Sequence, residues 1–350
     1  MNLIETLICK LQAHPKRFVF TDGNDPRVLQ AARQIVTRTM GAPILIGNRT
    51  AIKVMAAKLD INTKGIRIIE PERSSDINQM RNLLRSIPRF AGLSDEEIEA
   101  KSVEPCVFAT LLLKSNRADA LVSGATTKAS NALRALFQVI GTQTGVKTAS
   151  SLLVIDMEEK EVGIHGALFM SDCGVIPDPD AEQLADIVIT TASLAHHLTN
   201  KRPKVALLSF STYGNPRHPS VAKVQTATAL ARKKAKKIGL EADIDGDLQI
   251  DAALDRATAQ LKKTEGSLVA GDANVLIFPD LNSGNIATKL IHLLSGANKY
   301  GQIIMGLNKP AVEISRGATA HDILGAAAIS GCQAIDHRLL FGMGENPDAF

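Results

Sequence analysis

Apolar positions fall into short runs separated by helix-period segments, and the alternation persists almost from end to end. Runs of about four to eight apolar or β-branched residues bounded by turn residues read as strands, whereas apolar residues recurring every three or four positions read as amphipathic helices. Four early strands are predicted on that basis, "RFVFTDG" (17–23), "PILIGN" (43–48), "GIRIIEP" (65–71) and "ADALVSGA" (118–125), each followed by a helix-period segment. This is the pattern of βα units around a mostly parallel sheet, an α/β fold. Near residue 150 the rhythm changes, because "SLLVIDMEEKEVGIHGALFMSD" reads as two antiparallel strands joined by a charged turn. Alternation resumes with "KVALLSFST" (204–212), "ANVLIFPD" (273–280) and "QIIMGLN" (302–308). The expected organisation is one α/β domain from 1–148 plus 305–350 and a second from 149–304, packed across a cleft.

Composition narrows the function. At 350 residues and 45% hydrophobic, the chain is long enough for two cores. It lacks an apolar run approaching the ~18 residues of a membrane span, and its start, "MNLIETLICKLQAHPKR", lacks a secretory cleavage pattern. A cytoplasmic protein is expected. Cys9, Cys106, Cys173 and Cys332 are too dispersed for a disulfide framework or a metal knuckle, so buried free thiols are predicted. A net charge of +4, 3% aromatics and no Trp argue against nucleic acid as a partner. The one dense basic run, "ARKKAKK" (231–237), continues an apolar helical period and reads as a solvated helix end.

The usual chemical fingerprints are missing. No G-x-G-x-x-G follows a strand, and the P-loop, H-E-x-x-H and G-x-S-x-G motifs do not occur. His196 and His197 are adjacent, so on a helix they diverge by about 100° and cannot chelate one metal. Four strand-end segments remain: "SGATTKASNALRA" (123–135), "SFSTYGNPRHP" (209–219), "FPDLNSGN" (278–285) and "EISRGATAHD" (313–322). Each combines small residues that expose backbone N–H groups with Arg, Asn, Ser or Asp at the start of a helix, which suits phosphate. Ser123, Gly124, Ser211, Thr212, Asn282, Gly284 and Asn285 are the candidate anion contacts. A turn followed by a helix cap would produce similar residues, so each segment alone leaves both readings open.

Taken in order, the segments resemble those of phosphate acetyltransferases, the phosphotransacetylase family, which also includes phosphate butyryltransferases. "TDGNDPRVLQAA" (21–32), "SGATTKASNALRA", "LLSFSTYG", "DGDLQIDAAL" (245–254), "ANVLIFPDLNSGNIATKLI" (273–291) and "GLNKPAVEISRGATAHDI" carry the resemblance, and they cover nearly the whole chain. The resemblance implies acetyl transfer between acetyl phosphate and coenzyme A, with no metal or redox cofactor. It also implies two α/β domains similar to the isocitrate and isopropylmalate dehydrogenases, and a homodimer. Carried over by residue, it places Ser315, Arg316 and Asp322 in the catalytic motif and Arg134 in a phosphate-contacting position. A second early arginine is expected where this chain departs from the family's Arg-Lys-x-Lys-Gly and reads "LLRSIPRFAGLS", leaving Arg85 and Arg89 as competitors.

The chemistry implied needs a base for the CoA thiol, a donor for the charged acyl oxygen and cations for phosphate. Asp322, Ser315 and the pair Arg134 and Arg316 fill those roles. A carboxylate near 3.9 is a weak base for a thiol near 8.5, a gap of about 6 kcal/mol, so proton transfer is expected to be concerted with attack or helped by the arginines. Cys173 reads as a buried small residue, and Asp178 and Asp180 as a turn and a helix cap. Rival readings are butyryl or propionyl transfer, a non-catalytic acetyl-CoA sensor like the domain attached to some malic enzymes, and a metal- and NAD-dependent hydroxyacid dehydrogenase. Small residues Gly317, Ala318 and Ala320 are compatible with acetyl.

Overall fold

The computed structural model describes residues 2–143, 146–157, 162–164 and 166–335. The charged turn at 158–161 and the C-terminal "HRLLFGMGENPDAF" lie outside the described residues. The strands are β1 (Lys16–Phe20), β2 (Gly41–Ile46), β3 (Arg67–Ile69), β4 (Ala120–Ser123), β5 (Ser150–Asp156), β6 (Ala167–Ser171), β7 (Lys204–Leu208), β8 (Asp243–Leu248), β9 (Val275–Ile277), β10 (Asn298–Met305) and β11 (Ala311–Glu313). Two compact units divide them. Among the described residues, Ile4–Thr142 with 307–335 forms a terminal unit, and Gln143–Gly306 forms most of a central unit.

In the terminal unit the strand order is β3-β2-β1-β4-β11, and every pairing is parallel. Parallel strands covered on both faces are apolar throughout rather than alternating. Accordingly Phe18, Val19 and Phe20 of β1 are all fully buried. Helix Pro26–Thr37 turns Val28, Leu29, Ala31, Ala32 and Ile35 inward, and helix Pro105–Lys114 buries every residue from Val107 to Leu113. Helix Ala320–Gln333 is enclosed more completely still, with all residues from Asp322 to Gln333 buried. Its small residues allow that approach: a Cβ on Gly331 would lie 2.7 Å from Phe18 Cζ.

In the central unit the order is β10-β5-β6-β9-β7-β8. β5 pairs antiparallel with β10 and β6, and the remaining pairings are parallel, as the change of rhythm near residue 150 predicts. β8 has no counterpart among the predicted strands, because its sequence "DIDGDL" is half acidic. It stands at the edge of the order, where one ladder side is open, and each acid has found a partner. Asp243 pairs with Arg202 at 2.7 Å, Asp245 with Arg232 at 2.7 Å, and Asp247 accepts from Gln225 at 3.0 Å. The basic run falls at the end of helix Pro219–Ile238, closed by the left-handed Gly239, with Lys234 paired to Glu182 and Asp186.

Candidate active site

Because β1, β4 and β11 are adjacent and parallel, the segments following their carboxyl ends emerge along one edge of the terminal unit. Ligands of open α/β sheets bind at such an edge. The ladder runs one step beyond β11, where the Ile314 N–H donates to the Ser123 carbonyl at 2.7 Å. Gly124 then turns with φ +109°, and a Cβ there would fall 2.2 Å from the Ile314 carbonyl oxygen and 2.8 Å from Glu313 Oε1. Only glycine combines that dihedral with that approach.

Asp22, just past β1, fastens the loop after β4. It is 9% exposed, and its carboxylate accepts from Thr21 Oγ1 at 2.9 Å and the Gly124 N–H at 3.1 Å. It also accepts from Thr126 Oγ1 at 2.6 Å, and from the Thr127 N–H and Oγ1 at 3.1 and 2.7 Å. The Ser123 hydroxyl is buried beside this cluster, 2.9 Å from Thr21 Oγ1. Buried ionised groups are tolerated when their lone pairs are filled in this way.

The loop after β11 carries Ser315 and Arg316 and leads into the helix that carries Asp322, the third predicted catalytic residue. Ser315 is half-buried and its carbonyl accepts the Ala318 N–H at 2.9 Å, closing a turn with Arg316 and Gly317 exposed at its centre. Thr319 then caps helix Ala320–Gln333. Its hydroxyl accepts the Asp322 N–H at 3.1 Å, while Asp322 Oδ2 accepts the Thr319 N–H and hydroxyl at 2.8 and 2.9 Å. Asp322, 5% exposed, is therefore half of a capping box, as the plain reading of a first-turn acid implies. That role fixes the carboxylate in the first turn of the helix that follows the Ser315 turn.

Two acids differ sharply here. Burial pushes Asp25 up, but the hydrogen bonds and charge of Arg27 hold it below the ordinary carboxylate range. Burial likewise raises Glu313, and there it prevails, to about 7, over the lowering charge of Arg316 and with the raising charge of Asp22.

The arginines are similarly sorted. Arg316 is exposed, and Arg134, on helix Ala129–Val139, is exposed with no ion-pair partner among the described residues. Arg85 is ion-paired with Asp95, whereas Arg89, in the short turn Pro88–Phe90, is exposed with no ion-pair partner among the described residues. Arg117 and Arg17 are tied to Asp76 and Asp119.

Five predicted contacts belong to the central unit. Ser211 is fully buried after β7, with no hydrogen-bond partner for its hydroxyl among the described residues, and Thr212 Oγ1 bonds Gln249. Asn282 lies exposed in the first turn of helix Leu281–Ser295, capped by Asp280. Gly284 admits the loop after β6, since a Cβ would sit 2.3 Å from the Asp172 carbonyl oxygen. Asn285 Nδ2 donates to the Cys173 carbonyl at 3.1 Å. Asp172 holds that loop, accepting the N–H groups of Ser151, Gly174, Val175 and Ile176 at 3.0, 3.0, 3.3 and 2.7 Å.

All four thiols are free, but only Cys173 and Cys332 are buried; Cys106 is intermediate and Cys9 exposed, contrary to the expectation of four buried thiols. Helix Leu3–Ala13 places position 9 on its outer side, between buried Ile8 and Leu11. Burial raises the Cys173 thiol well above its ordinary value and Cys332 to about 12, which suits neither to nucleophilic work. Asp180 caps helix Ala181–Thr199 and Asp178 pairs with Lys223 at 2.7 Å, the turn and cap that the prolines suggest. Among the described residues no three His, Cys, Asp or Glu side chains gather as a metal site, and no helix is long and apolar enough to cross a membrane. Asp22, Arg27, Glu313 and Thr319 are the residues that motif reading passed over. The signal for Asp22 was present, an acid at the end of the predicted strand "RFVFTDG" and before a glycine.

Comparisons with known proteins show which proteins the chain resembles as a whole. The phosphate acetyltransferase of Acetivibrio thermocellus is 37% identical over 334 residues, covering 95% of this chain and 98% of that one. The EutD phosphotransacetylase from Staphylococcus aureus superposes with a TM-score of 0.85 at 33% identity, covering 95% of this chain and 98% of that one. A 4-hydroxythreonine-4-phosphate dehydrogenase from Klebsiella pneumoniae, at 13% identity and a TM-score of 0.53 over 91% of this chain and 99% of that one, shares the fold alone. The family model described as phosphate acetyl/butaryl transferase matches residues 2–331, and the chain belongs to that family.

Proposed function

We propose that the protein is a phosphate acetyltransferase, moving an acetyl group reversibly between acetyl phosphate and coenzyme A. The observation that carries this reading is the edge after β1, β4 and β11, where Ser315 and exposed Arg316 sit on the short turn leading into the helix whose first turn holds Asp322. In the forward step the CoA sulfur forms a bond to the acetyl carbon, the bond from that carbon to the phosphate oxygen breaks, and the thiol proton ends on phosphate. Asp322 takes that proton and passes it on, Ser315 donates to the acyl oxygen as it becomes charged, and Arg316 and Arg134 hold phosphoryl oxygens. Arginine suits the last task because its planar fork engages two oxygens and stays charged. Ser123 and Gly124 lie on the same edge of the terminal unit and shape it, the Gly124 N–H being committed to Asp22; of the candidate contacts in the central unit, Asn282 is the exposed one. Of the two early arginines Arg89 is the better supported, since Arg85 is engaged with Asp95.

The reaction as proposed uses no metal or redox cofactor. Purified protein, acetyl phosphate and CoA mixed in chelator should form thioester, followed by its absorbance. CoA binding without turnover would instead favour a sensor. Faster turnover of butyryl or propionyl phosphate would move the acyl preference to the longer chains.

We also propose a cytoplasmic homodimer. Supporting the dimer, helix Leu281–Ser295 leaves Ile286, Leu290, Leu293 and Leu294 between 53% and 79% exposed, an apolar stripe at helical spacing. Light scattering should give twice the chain mass, and Leu290→Asp with Leu294→Asp should give the monomer.

A further inference from the structure

Arg27 is the second residue of helix Pro26–Thr37, and every N–H of its guanidinium is committed inside the protein. Nε and Nη2 grip Asp25 at 3.0 and 2.8 Å, a fork anchored on the residue that caps the same helix. Nη2 also reaches the Ala125 carbonyl at 2.9 Å, in the loop after β4. Nη1 spans the Arg316 and Ala318 carbonyls at 2.6 and 2.8 Å, in the loop after β11. A guanidinium has five N–H bonds, and all five are counted here.

Two consequences follow from that saturation. Arg27 has no donor left for a phosphoryl oxygen, unlike the exposed Arg316, Arg134 and Arg89. It does control the carbonyls on either side of Gly317, and so the direction of the peptides at the tip of the Ser315–Ala318 turn. Arg27 thus bonds both the loop after β4 and the loop after β11. Asp22 ties β1 to the β4 loop; Arg27 extends the tie to the segment bearing Ser315 and Arg316.

We propose that Arg27 is a positioning residue for acyl transfer, holding the Ser315–Ala318 turn against the Ala125 loop so that Ser315 and Arg316 address the reacting acyl phosphate. The proposal rests on the phosphotransacetylase reading. A lysine cannot replace it, because a single ammonium cannot grip a carboxylate and reach carbonyls on two loops.

The test compares wild type, Arg27→Ala and Arg27→Lys in the thioester assay, with thermal melting as a check on folding. For Arg27→Ala, kcat should fall about 100-fold, as a misplaced catalytic loop costs, while the KM values for acetyl phosphate and CoA move less than about threefold. Millimolar guanidinium chloride should restore at least about fivefold of the lost kcat, relative to sodium chloride at equal ionic strength, and should leave wild type unstimulated. Arg27→Lys should remain at least about tenfold below wild type. A folded Arg27→Ala with kcat within about twofold of wild type overturns the proposal, as does a loss confined to KM. If the alanine variant does not fold, Arg27→Lys decides alone, and wild-type kcat there overturns it. A wild type that makes no thioester overturns the proposed function and is read separately.

Discussion

Two buried aspartates, one in each unit, follow a strand end and gather backbone and hydroxyl donors, but they draw them from different distances. Asp172 is served mostly by the residues that follow it, Gly174, Val175 and Ile176, a self-contained turn that its neighbourhood in the chain nearly dictates. Asp22 is served by Gly124, Thr126 and Thr127, more than a hundred residues away. The central unit therefore shapes the loop after β6 locally, whereas the terminal unit composes the edge after β1, β4 and β11 from three remote segments. An edge assembled at long range responds to changes far from it, while a local turn absorbs them.

The largest expected effect is at Asp322. Asp322→Asn should lower kcat by about 10² to 10⁴ with CoA affinity nearly unchanged, since asparagine preserves the cap acceptor but not the base. Asn285→Ala, which removes the bond to the Cys173 carbonyl in the central unit, should lower kcat less than about tenfold; a loss equal to that of Asp322→Asn would erase the contrast between the two residues.

The aspartate pair probes the contrast more directly. Asp22→Ala leaves donors stranded on two loops, and should cost about 3 kcal/mol of stability and about 100-fold in kcat. Asp172→Ala should cost a similar ~3 kcal/mol in chemical denaturation but less than about tenfold in kcat. The reverse order would mean that the local turn, not the remote tie, governs reactivity.

The smallest effect is one of pH. Glu313 rises from 4.5 to about 7 on folding, so the folded chain binds the extra proton between those values. This contribution to stability is complete below about pH 4.5 and is lost as pH rises through about 7, by about 3 kcal/mol in total. Glu313→Gln should remove that slope from the difference between variant and wild-type denaturation curves. An unchanged slope would show that Glu313 does not carry it.

Much of this was legible in the sequence because the relevant information is local. Apolar runs located β1, β2, β4 and β7, and the Thr319–Asp322 box is written in four consecutive residues, "TAHD". β8 escaped because its stability depends on Arg202 and Arg232, whose proximity no window of sequence shows. Arg27 escaped for the same reason, reaching carbonyls 98, 289 and 291 residues away. Arg85 and Arg89 were indistinguishable as residue types, and only the Asp95 contact separates them.

Helix Ala320–Gln333, with Asp322 in its first turn and twelve consecutive residues enclosed, gives the reaction an unusual dependency. Enlarging Ala326, Ala327 or Ala328 would push the helix as a rigid rod and carry Asp322, the proposed proton acceptor, with it. Attempts to make this enzyme tolerate heat by filling its interior will therefore retune its rate as well, and directed evolution for the two properties should find them inseparable along this helix.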